Sequence, residues 1–438
     1  MRVTVPKVLA LGFSVMLAGY VFMVAPRLHA APAAHVTQAA PGTAAAPPVP
    51  AVPVQANSPA FPPAGRKFIG IMTNSGPYDF TDLDNFTAAV GHQPSVYEFG
   101  QGWAVNQFNA SVIDAVARRG MLPLISWEPW DYQKATMGSA IQGDEPAYSL
   151  SNIIDGRYDS YIRSWAEGVK GLGYTIALRF AHEMNGNWYP WAVFANGNQP
   201  SQYVQAWRHV HDIFTQVGAT NVIWVWSPNI IWNSFTDFAS LYPGNSYVDW
   251  IGLSGYYGTP GMLHYKSFDQ TFDPTIADLR TFTSKPLVIT ETGATNVSGE
   301  MAPWITQMFQ ELPAHTDIIG VIWFEAFNVI DWKVTDDLAA SRAFAAGLAS
   351  PQYQVQWKPG MPGLLTVPVP ALVPGTAPAV TASPAAPAPA TTPPPVAATT
   401  PVTRPSSPAP PRSVPSTSHP ATPAPKPSPT LFPATSPP

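Results

Sequence analysis

Two glutamates that directly follow apolar runs are the residues of this sequence best suited to chemistry. Glu183 comes after the run at residues 174–180, and Glu291 comes after residues 287–290. Such runs are typical of strands buried on both faces, so both glutamates are expected at carboxyl ends of strands. Catalytic groups of α/β barrels lie at that end. A pair of carboxyl groups on different strands suits cleavage of a glycosidic bond, with one proton donor and one nucleophile.

The elements that must position these glutamates recur along residues 65–358. Eight apolar runs begin at residues 68, 95, 122, 176, 222, 250, 287 and 319, and helical patterns such as residues 111–119 and 201–217 separate several of them. This alternation predicts an α/β fold, a single closed (β/α)8 TIM barrel. No glycine-rich phosphate loop follows a strand, which argues against an open doubly wound sheet. Glu183 then follows strand four and Glu291 strand seven, on facing sides of the barrel mouth.

Composition limits the function further. The 438 residues include 15 tryptophans and no cysteine, with 11% charged side chains and a formal net charge of −5. A clustered basic surface is missing, which argues against a nucleic-acid partner. Because thiolates are absent and no His/Asp cluster has ligand spacing, we expect no metal and no other cofactor. The tryptophans fit both a large aromatic core and a sugar-binding cleft.

The two ends of the chain have a different composition. Residues 1–30 combine Arg2 and Lys7 with an apolar stretch over residues 8–25 and a small-residue cleavage site, which predicts a signal peptide. The stretch is long enough that an uncleaved membrane anchor stays open. Either way we expect a secreted or cell-envelope protein. Residues 31–64 and 359–438, rich in proline and alanine, predict a linker and a disordered tail, either spacers to a wall polymer or passive solubilising segments.

Three strings carry a resemblance to a known family. They are HEMNGNWYPW at residues 182–191, DWIGLSGYYG at 249–258 and LVITETGA at 287–294. Together they resemble glycoside hydrolase family 26, which includes β-mannanases and β-1,3-1,4-glucanases, and the resemblance covers most of residues 66–358. It implies Glu183 as general acid/base, Glu291 as nucleophile and Tyr256 as a hydrogen-bond donor to the nucleophile. The implied sugar contacts are His182, Trp188 and Trp323.

Further candidates lie at or just after strand ends, where the subsites of a sugar cleft would be. They are Trp127, Glu128, Trp191 and Trp226. Each has a structural alternative, because a tryptophan packs in a core and a carboxylate pairs with a buried arginine. Arg179, on strand four, is expected to pair with a buried carboxylate. For Glu183, an acid that must hold its proton near neutral pH, we expect a raised pKa.

Two departures from the mannanase pattern leave the identity of the sugar unit in the substrate undecided. Ser254 stands where many mannanases carry aspartate, and Phe324 stands where arginine is common. We expect a monomeric, retaining endo-β-glycanase acting on β-mannan, with β-1,3-1,4-glucan as the alternative. A non-catalytic polysaccharide-binding barrel and a glycosyl-transferring variant are the other hypotheses. The presence of both glutamates argues against the first of these.

Overall fold

The computed structural model describes residues 60–134, 143–231, 237–297, 299–328 and 330–361. The chain divides into two units, Met1–Val373 and Pro374–Pro438, and every described residue belongs to the first. The segments predicted as signal peptide or anchor, most of the linker and nearly all of the tail lie outside these ranges. Within them, no helix has both the length and the apolar character that a membrane span requires.

Eight parallel strands close into a barrel in chain order, with β1 paired to β8. The predicted (β/α)8 fold is therefore confirmed. All strand residues are buried except at three positions, because one face packs inside the barrel and the other against helices. The strands are β1 Phe68–Thr73, β2 Val96–Gly102, β3 Leu122–Glu128, β4 Ile176–Phe180, β5 Val222–Trp226, β6 Trp250–Tyr257, β7 Leu287–Ala294 and β8 Ile318–Glu325.

The described helices surround the barrel, and their ends follow ordinary sequence signals. In the longest of them, Pro200 stands at the first position, Gln199 and Gln202 form a capping box, and Gly218 ends the helix with a φ of 80°. The helices are α1 Thr81–Val90, α2 Ala110–Arg118, α3 Leu150–Ile154, α4 Asp159–Leu172, α5 Pro200–Val217, α6 Phe268–Leu279, α7 Met301–Glu311 and α8 Leu338–Leu348. The predicted helical patterns correspond to α2 and α5.

An aromatic core fills the space between the strands and the helices. Trp127 of β3 packs against Trp165 of α4 and Phe214 of α5, with ring centroids 5.2 and 5.8 Å away. The packing also extends before β1. Phe61, within the stretch assigned to the linker, is fully buried and stacks on Phe68 at 5.4 Å. This layer holds the strands in place and leaves the mouth at their carboxyl ends for polar groups.

Candidate active site

The carboxyl ends of the strands bring Glu183 and Glu291 together. Glu183 comes shortly after β4, and Glu291 lies in β7. One carboxylate oxygen of each lies within 4.8 Å of the other and of a ring nitrogen of His182. The two glutamates are only 4% and 5% exposed. Two carboxyl groups this close, supplied by different strands, can act together on one bond of a bound molecule.

A bulge in β7 turns Glu291 toward the barrel interior. The pairing with β6 shifts so that Ser254 lies opposite Glu291, and Thr290 is the extra residue. A bulge of this kind re-aims a side chain that strict alternation would direct to the other face. The hydroxyl of Thr290 contacts that of Ser227 at 2.8 Å in the buried interior, and Glu291 faces the same interior.

The backbone after β4 is bent so that Glu183 faces the site. Ala181 and Glu183 have positive φ angles of 43° and 52°, which non-glycine residues seldom adopt. The amide of Glu183 donates to the carbonyl of Ser227 at 2.7 Å. Its carboxylate accepts from Trp188 Nε1 at 2.8 Å and from Asn229 Nδ2 at 3.0 Å. Such strain is concentrated at functional sites, and these hydrogen bonds hold the strained turn in place.

The surroundings of Glu183 favour its protonated form. Burial raises the pKa of this carboxyl group, and the charge of Glu291 raises it further. Arg179 and the amide of Asn229 act in the opposite direction without cancelling the shift. The direction agrees with the expectation for a group that must carry a proton near neutral pH.

Glu291 is oriented by two donors. Arg179 Nη1 donates to Oε1, and the hydroxyl of Tyr256 donates to Oε2 at 2.8 Å. Burial raises the pKa of Tyr256, and the charge of Glu291 raises it further, so that the hydroxyl keeps its hydrogen. Charge-assisted bonds of this kind are short and directional. They fix the carboxylate of Glu291 with both oxygens engaged, one of them by the tyrosine that the resemblance implied.

The guanidinium of Arg179 is the buried centre beneath Glu291. Its nitrogens donate to Glu98, Ser126, Ser227, Ser254 and Glu291, so it connects groups from β2, β3, β6 and β7 with the residue that follows β5. The predicted pairing of Arg179 with a buried carboxylate is confirmed. Burial opposes the charge of Arg179, but Glu291 and Glu98 outweigh it and raise its pKa.

Glu98 shares Arg179 with Glu291. It accepts from the same nitrogen, Nη1, at 3.0 Å and from the hydroxyl of Ser126 at 2.6 Å. Its Oε2 has no hydrogen-bond partner within the part of the chain that the structure describes. Burial raises the pKa of Glu98 to about 8, against the attraction of Arg179. Glu98 therefore exchanges a proton far more readily near neutral pH than an exposed glutamate does.

His182 is held by Glu128. Its Nε2 lies 2.9 Å from Glu128 Oε1, and Trp130 Nε1 donates to Glu128 Oε2 at 3.0 Å. Burial raises the pKa of Glu128 and lowers that of His182, so a neutral pair is favoured. Glu128 was expected to contact sugar. With both oxygens engaged, it instead orients His182, whose Nδ1 has no partner among the described residues.

Two tryptophans of the segment after β4 have distinct positions. Trp188, 5% exposed, lies against Gly186, where a Cβ atom would come within 2.6 Å of the indole ring, so only glycine leaves room for it. Its indole nitrogen binds Glu183, and its role as a sugar platform stays a prediction. Trp191 is fully buried, stacks on Tyr189 at 4.3 Å and donates to the carbonyl of His182. Trp191 therefore supports the site from behind.

Three tryptophans expected in the sugar cleft point the other way, and those predictions were wrong. Trp127, Trp226 and Trp323 are fully buried between the barrel and the helices. Trp226 donates to the carbonyl of Leu241, and Trp323 packs against Phe344 of α8. Side chains alternate along a strand, so a residue next to an inward-facing one faces outward. These indoles stabilise the outer layer and do not reach the cleft.

The sequence analysis missed some residues of the site. Asn229, which donates to Glu183, follows β5 as part of a polar group after an apolar run, and this signal was available. Asn185 supports Asn229, because its Oδ1 accepts from the backbone N–H of Asn229 at 2.9 Å. Trp332 packs on the ring of Tyr256 with centroids 4.9 Å apart. Trp332 lies in a long segment after β8, where no local pattern indicates that it reaches the site.

The cluster of His182, Glu183 and Glu291 offers three atoms of types that bind metals. Its surroundings are unsuited to a cation, because the positive charge of Arg179 already neutralises Glu291 and extends to Glu183. A carboxyl group that favours its protonated form, a second carboxylate held by two donors and a neutral histidine are instead suited to acid–base and nucleophilic work.

Comparisons with known proteins identify the family of this chain. The sequence profile of Glycosyl hydrolase family 26 matches residues 68–277. Endoglucanase H of Acetivibrio thermocellus is 34% identical over 256 residues, which are 56% of this chain and 26% of that protein. A mannan endo-1,4-beta-mannosidase of Bacillus subtilis is 25% identical over 291 residues, 61% of this chain and 75% of that protein.

A solved structure shows the same fold. The β-mannanase of Bacteroides ovatus superposes with a TM-score of 0.52 at 16% identity, over 66% of this chain and 90% of that one. The chain spans about a quarter of Endoglucanase H, three quarters of the Bacillus subtilis mannosidase and 90% of the Bacteroides ovatus chain. With the profile match, the barrel and the paired glutamates in agreement, this chain belongs to glycosyl hydrolase family 26.

Proposed function

We propose that this protein is a retaining endo-β-glycanase that hydrolyses a β-1,4-linked polysaccharide through Glu183 and Glu291. The observation that carries the proposal is the closeness of the two carboxylates, which have an oxygen–oxygen separation within 4.8 Å. Retaining glycosidases hold their carboxyl groups about 5–5.5 Å apart, whereas inverting enzymes need about 6.5–9.5 Å to admit a water. The short separation favours direct attack by a carboxylate.

In the first step Glu183 gives its proton to the glycosidic oxygen while Glu291 attacks the anomeric carbon. The carbon–oxygen bond breaks, the leaving sugar carries the proton away, and a covalent glycosyl–enzyme ester forms on Glu291. In the second step Glu183, now ionised, takes a proton from a water that attacks the same carbon and releases Glu291. The hydrogen bond from Tyr256 orients the attacking carboxylate, and those from Trp188 and Asn229 keep Glu183 beside the bond.

For the sugar, the proposal takes β-mannan first, since mannan endo-1,4-beta-mannosidases recur among the relatives. A mixed-linkage β-glucan is the second candidate, and two observations favour it. The relative with 34% identity is an endoglucanase, and Ser254 replaces the aspartate of many mannanases. In this fold Ser254 Oγ accepts from Arg179 Nη2 at 2.6 Å, so it serves the buried network. The proposal includes export by residues 1–30, consistent with a polymeric substrate outside the cell.

A panel of defined polysaccharides tests the proposal. Purified protein is incubated with β-mannan, mixed-linkage β-glucan and a β-1,4-xylan, and new reducing ends are counted. We expect release from mannan or mixed-linkage glucan, and loss of release in Glu291→Ala with partial return on adding azide as an external nucleophile. Glu183→Ala is expected to spare aryl glycosides with good leaving groups. No release from any β-glycan, or full activity in either variant, would contradict the proposal.

A further inference from the structure

A small apolar cluster, distinct from the aromatic core between strands and helices, supports the tyrosine that donates to Glu291. Most of its members belong to the end of β8 and to the chain that follows, and the ring of Tyr256 packs against them. The rings of Trp332 and Phe324 contact this tyrosine, with centroids 4.9 and 6.0 Å away. The buried members of the cluster are Met72, Phe324, Ala326, Ile330 and Trp332.

Trp332 fixes the ring of Tyr256 on one side. It is fully buried, and its indole lies against Gly293, where a Cβ atom would come to 3.0 Å from the ring. Gly293 stands two residues after Glu291 in β7, so the indole contacts both the strand of this carboxylate and the tyrosine that binds it. Rings packed this closely have little room to turn. A displacement of Trp332 would therefore displace the hydroxyl of Tyr256.

Three hydrogen bonds hold Trp332 itself. Its indole Nε1 donates to Asn328 Oδ1 at 3.0 Å, and its backbone N–H donates to the carbonyl of Ala326 at 3.1 Å. Its own carbonyl accepts from Trp323 Nε1 at 3.2 Å. All three polar groups of Trp332 are thus engaged by β8 and the chain after it. The position of the indole consequently depends on the course that this chain takes.

Glu325, the last residue of β8, anchors the same chain beyond Trp332. It is fully buried, and its Oε2 accepts from the backbone N–H of Val334 at 2.8 Å. Its Oε1 accepts from the backbone N–H and the hydroxyl of Thr335, at 3.0 and 2.7 Å. Burial raises the pKa of Glu325 to about 7, against these donors, which favour the carboxylate. Hydrogen bonds to an ionised group are the strong ones, so above this pH Glu325 holds the chain firmly.

We propose that Glu325 is a positioning residue that, through Trp332, sets the hydroxyl of Tyr256. The inference rests on the proposed function, in which this hydroxyl orients the attacking Glu291. The path consists of the hydrogen bonds at residues 334 and 335, the backbone that leads from there to Trp332, and the packing of the indole on the tyrosine ring. A catalytic group misplaced by about 1 Å can cost about 100-fold in rate, so loosening the anchor slows the reaction without touching the substrate.

Glu325→Gln tests the proposal in a double-mutant cycle with Tyr256→Phe. The amide keeps the shape of the side chain, but its nitrogen cannot accept, so a backbone N–H at 334 or 335 loses its partner. Rates are measured on an aryl glycoside above pH 7, where Glu325 is ionised. We expect kcat and kcat/KM to fall equally, about tenfold, because the lost interaction acts in the transition state. In Tyr256→Phe, which lacks the hydroxyl, the same change should lower kcat less than about twofold.

Further variants separate positioning from stability. Thr335→Val removes one hydroxyl donor to Glu325 and should cause a smaller loss in the same direction, whereas Thr335→Ser keeps the hydroxyl and should behave as the wild type. Asp249→Asn is the matched control. Asp249 is a half-buried carboxylate that accepts from the backbone N–H of Trp224 at 2.9 Å, just before β6 at the other end of the barrel. Its replacement should leave kcat unchanged with or without Tyr256→Phe.

An equal fall of kcat in both backgrounds, or a lower melting temperature of Glu325→Gln with unchanged kcat, would overturn the role of Glu325. If this variant does not fold, Thr335→Val takes its place in the cycle and in the structural comparison. If the wild type cleaves no substrate, the proposed function fails, and crystal structures of the wild type and the variant decide about the positioning. A Tyr256 hydroxyl displaced from Glu291 in the variant supports it, and an unchanged hydrogen bond overturns it.

Discussion

Tyr256 of β6 donates its hydroxyl hydrogen to Oε2 of Glu291 at 2.8 Å, from the strand next to the one that carries the carboxylate. The tyrosine ring is held by Trp332, and the other carboxylate oxygen is held by Arg179. The carboxylate of Glu291 is thus fixed at both oxygens before a substrate arrives. In the proposed first step its negative charge passes into an ester, so these bonds would also govern how readily Glu291 attacks.

Tyr256→Phe removes one donor and leaves the ring packing. We expect kcat to fall about ten- to a hundredfold, because a hydrogen bond to a charged group contributes about 1.5–3 kcal/mol. Steady-state rates on an aryl glycoside measure this. Tyr257→Phe is the control, since the Tyr257 ring faces α7 and stacks on Trp304. Equal rates in the two variants would mean that the Tyr256 bond does not contribute to catalysis.

Asn229→Ala is expected to move the pH profile. The Asn229 amide donates to Glu183 Oε1 and favours the ionised form, so its loss raises the already raised pKa of Glu183. The acid form then survives to higher pH, and the alkaline limb of kcat/KM moves upward. Rates across neutral and alkaline pH give the midpoint. An unchanged or lowered midpoint would show that Glu183 does not set this limb.

Trp127 and Trp188 should respond oppositely to substitution. Trp127→Leu removes part of a fully buried ring in the aromatic core, so we expect a loss of unfolding free energy of up to about 3 kcal/mol and an unchanged kcat/KM per folded molecule. Trp188→Phe removes the indole donor to Glu183 and should lower kcat with little effect on stability. Thermal unfolding and rates, measured side by side, decide this. A loss of activity without a loss of stability in Trp127→Leu would indicate that Trp127 contributes to the cleft.

Glu98→Gln tests the buried network beneath the site. The pKa of Glu98 is raised in the folded protein from an ordinary 4.5 to about 8, so the folded state binds the proton more tightly than the unfolded state does. The contribution of Glu98 to stability is therefore greatest below pH 4.5 and declines as the pH rises to about 8. Without this carboxyl group, the variant should lose less stability over that window than the wild type. Melting temperatures across the window measure the difference, and parallel curves would refute the assignment.

The fold and the closeness of Glu183 and Glu291 could be predicted because their signals are local. Each strand is a short apolar run, and Glu183 and Glu291 stand among the polar residues that follow two of these runs. The predictions that placed three tryptophans in the cleft failed for a physical reason. Strands buried on both faces are apolar at every position, so composition does not tell which side chains face inward. The alternation of side chains along a strand carried that information. Glu128 and Ser227 face the interior, so the residues before them, Trp127 and Trp226, must face outward.

Other features of the site depend on long-range pairing. The bulge at Thr290 turns Glu291 inward through a register shift against β6, and no local pattern marks it. The same holds for the positive φ angles of Ala181 and Glu183, which the surrounding hydrogen bonds impose. Glu98 and Arg179 meet only because the barrel closes, so the sequence predicted a buried carboxylate partner for Arg179 but did not identify it as Glu98.

The central claim is that Glu291 forms a covalent bond to the sugar while Glu183 transfers the proton. The most direct measurement is mass spectrometry of the protein after reaction with a 2-deoxy-2-fluoro glycoside that has a good leaving group, which forms the ester quickly and releases it slowly. We expect one added fluorosugar, located by peptide fragmentation on Glu291. Labelling of any other residue, or turnover of natural substrate with no adduct under these conditions, would contradict the account.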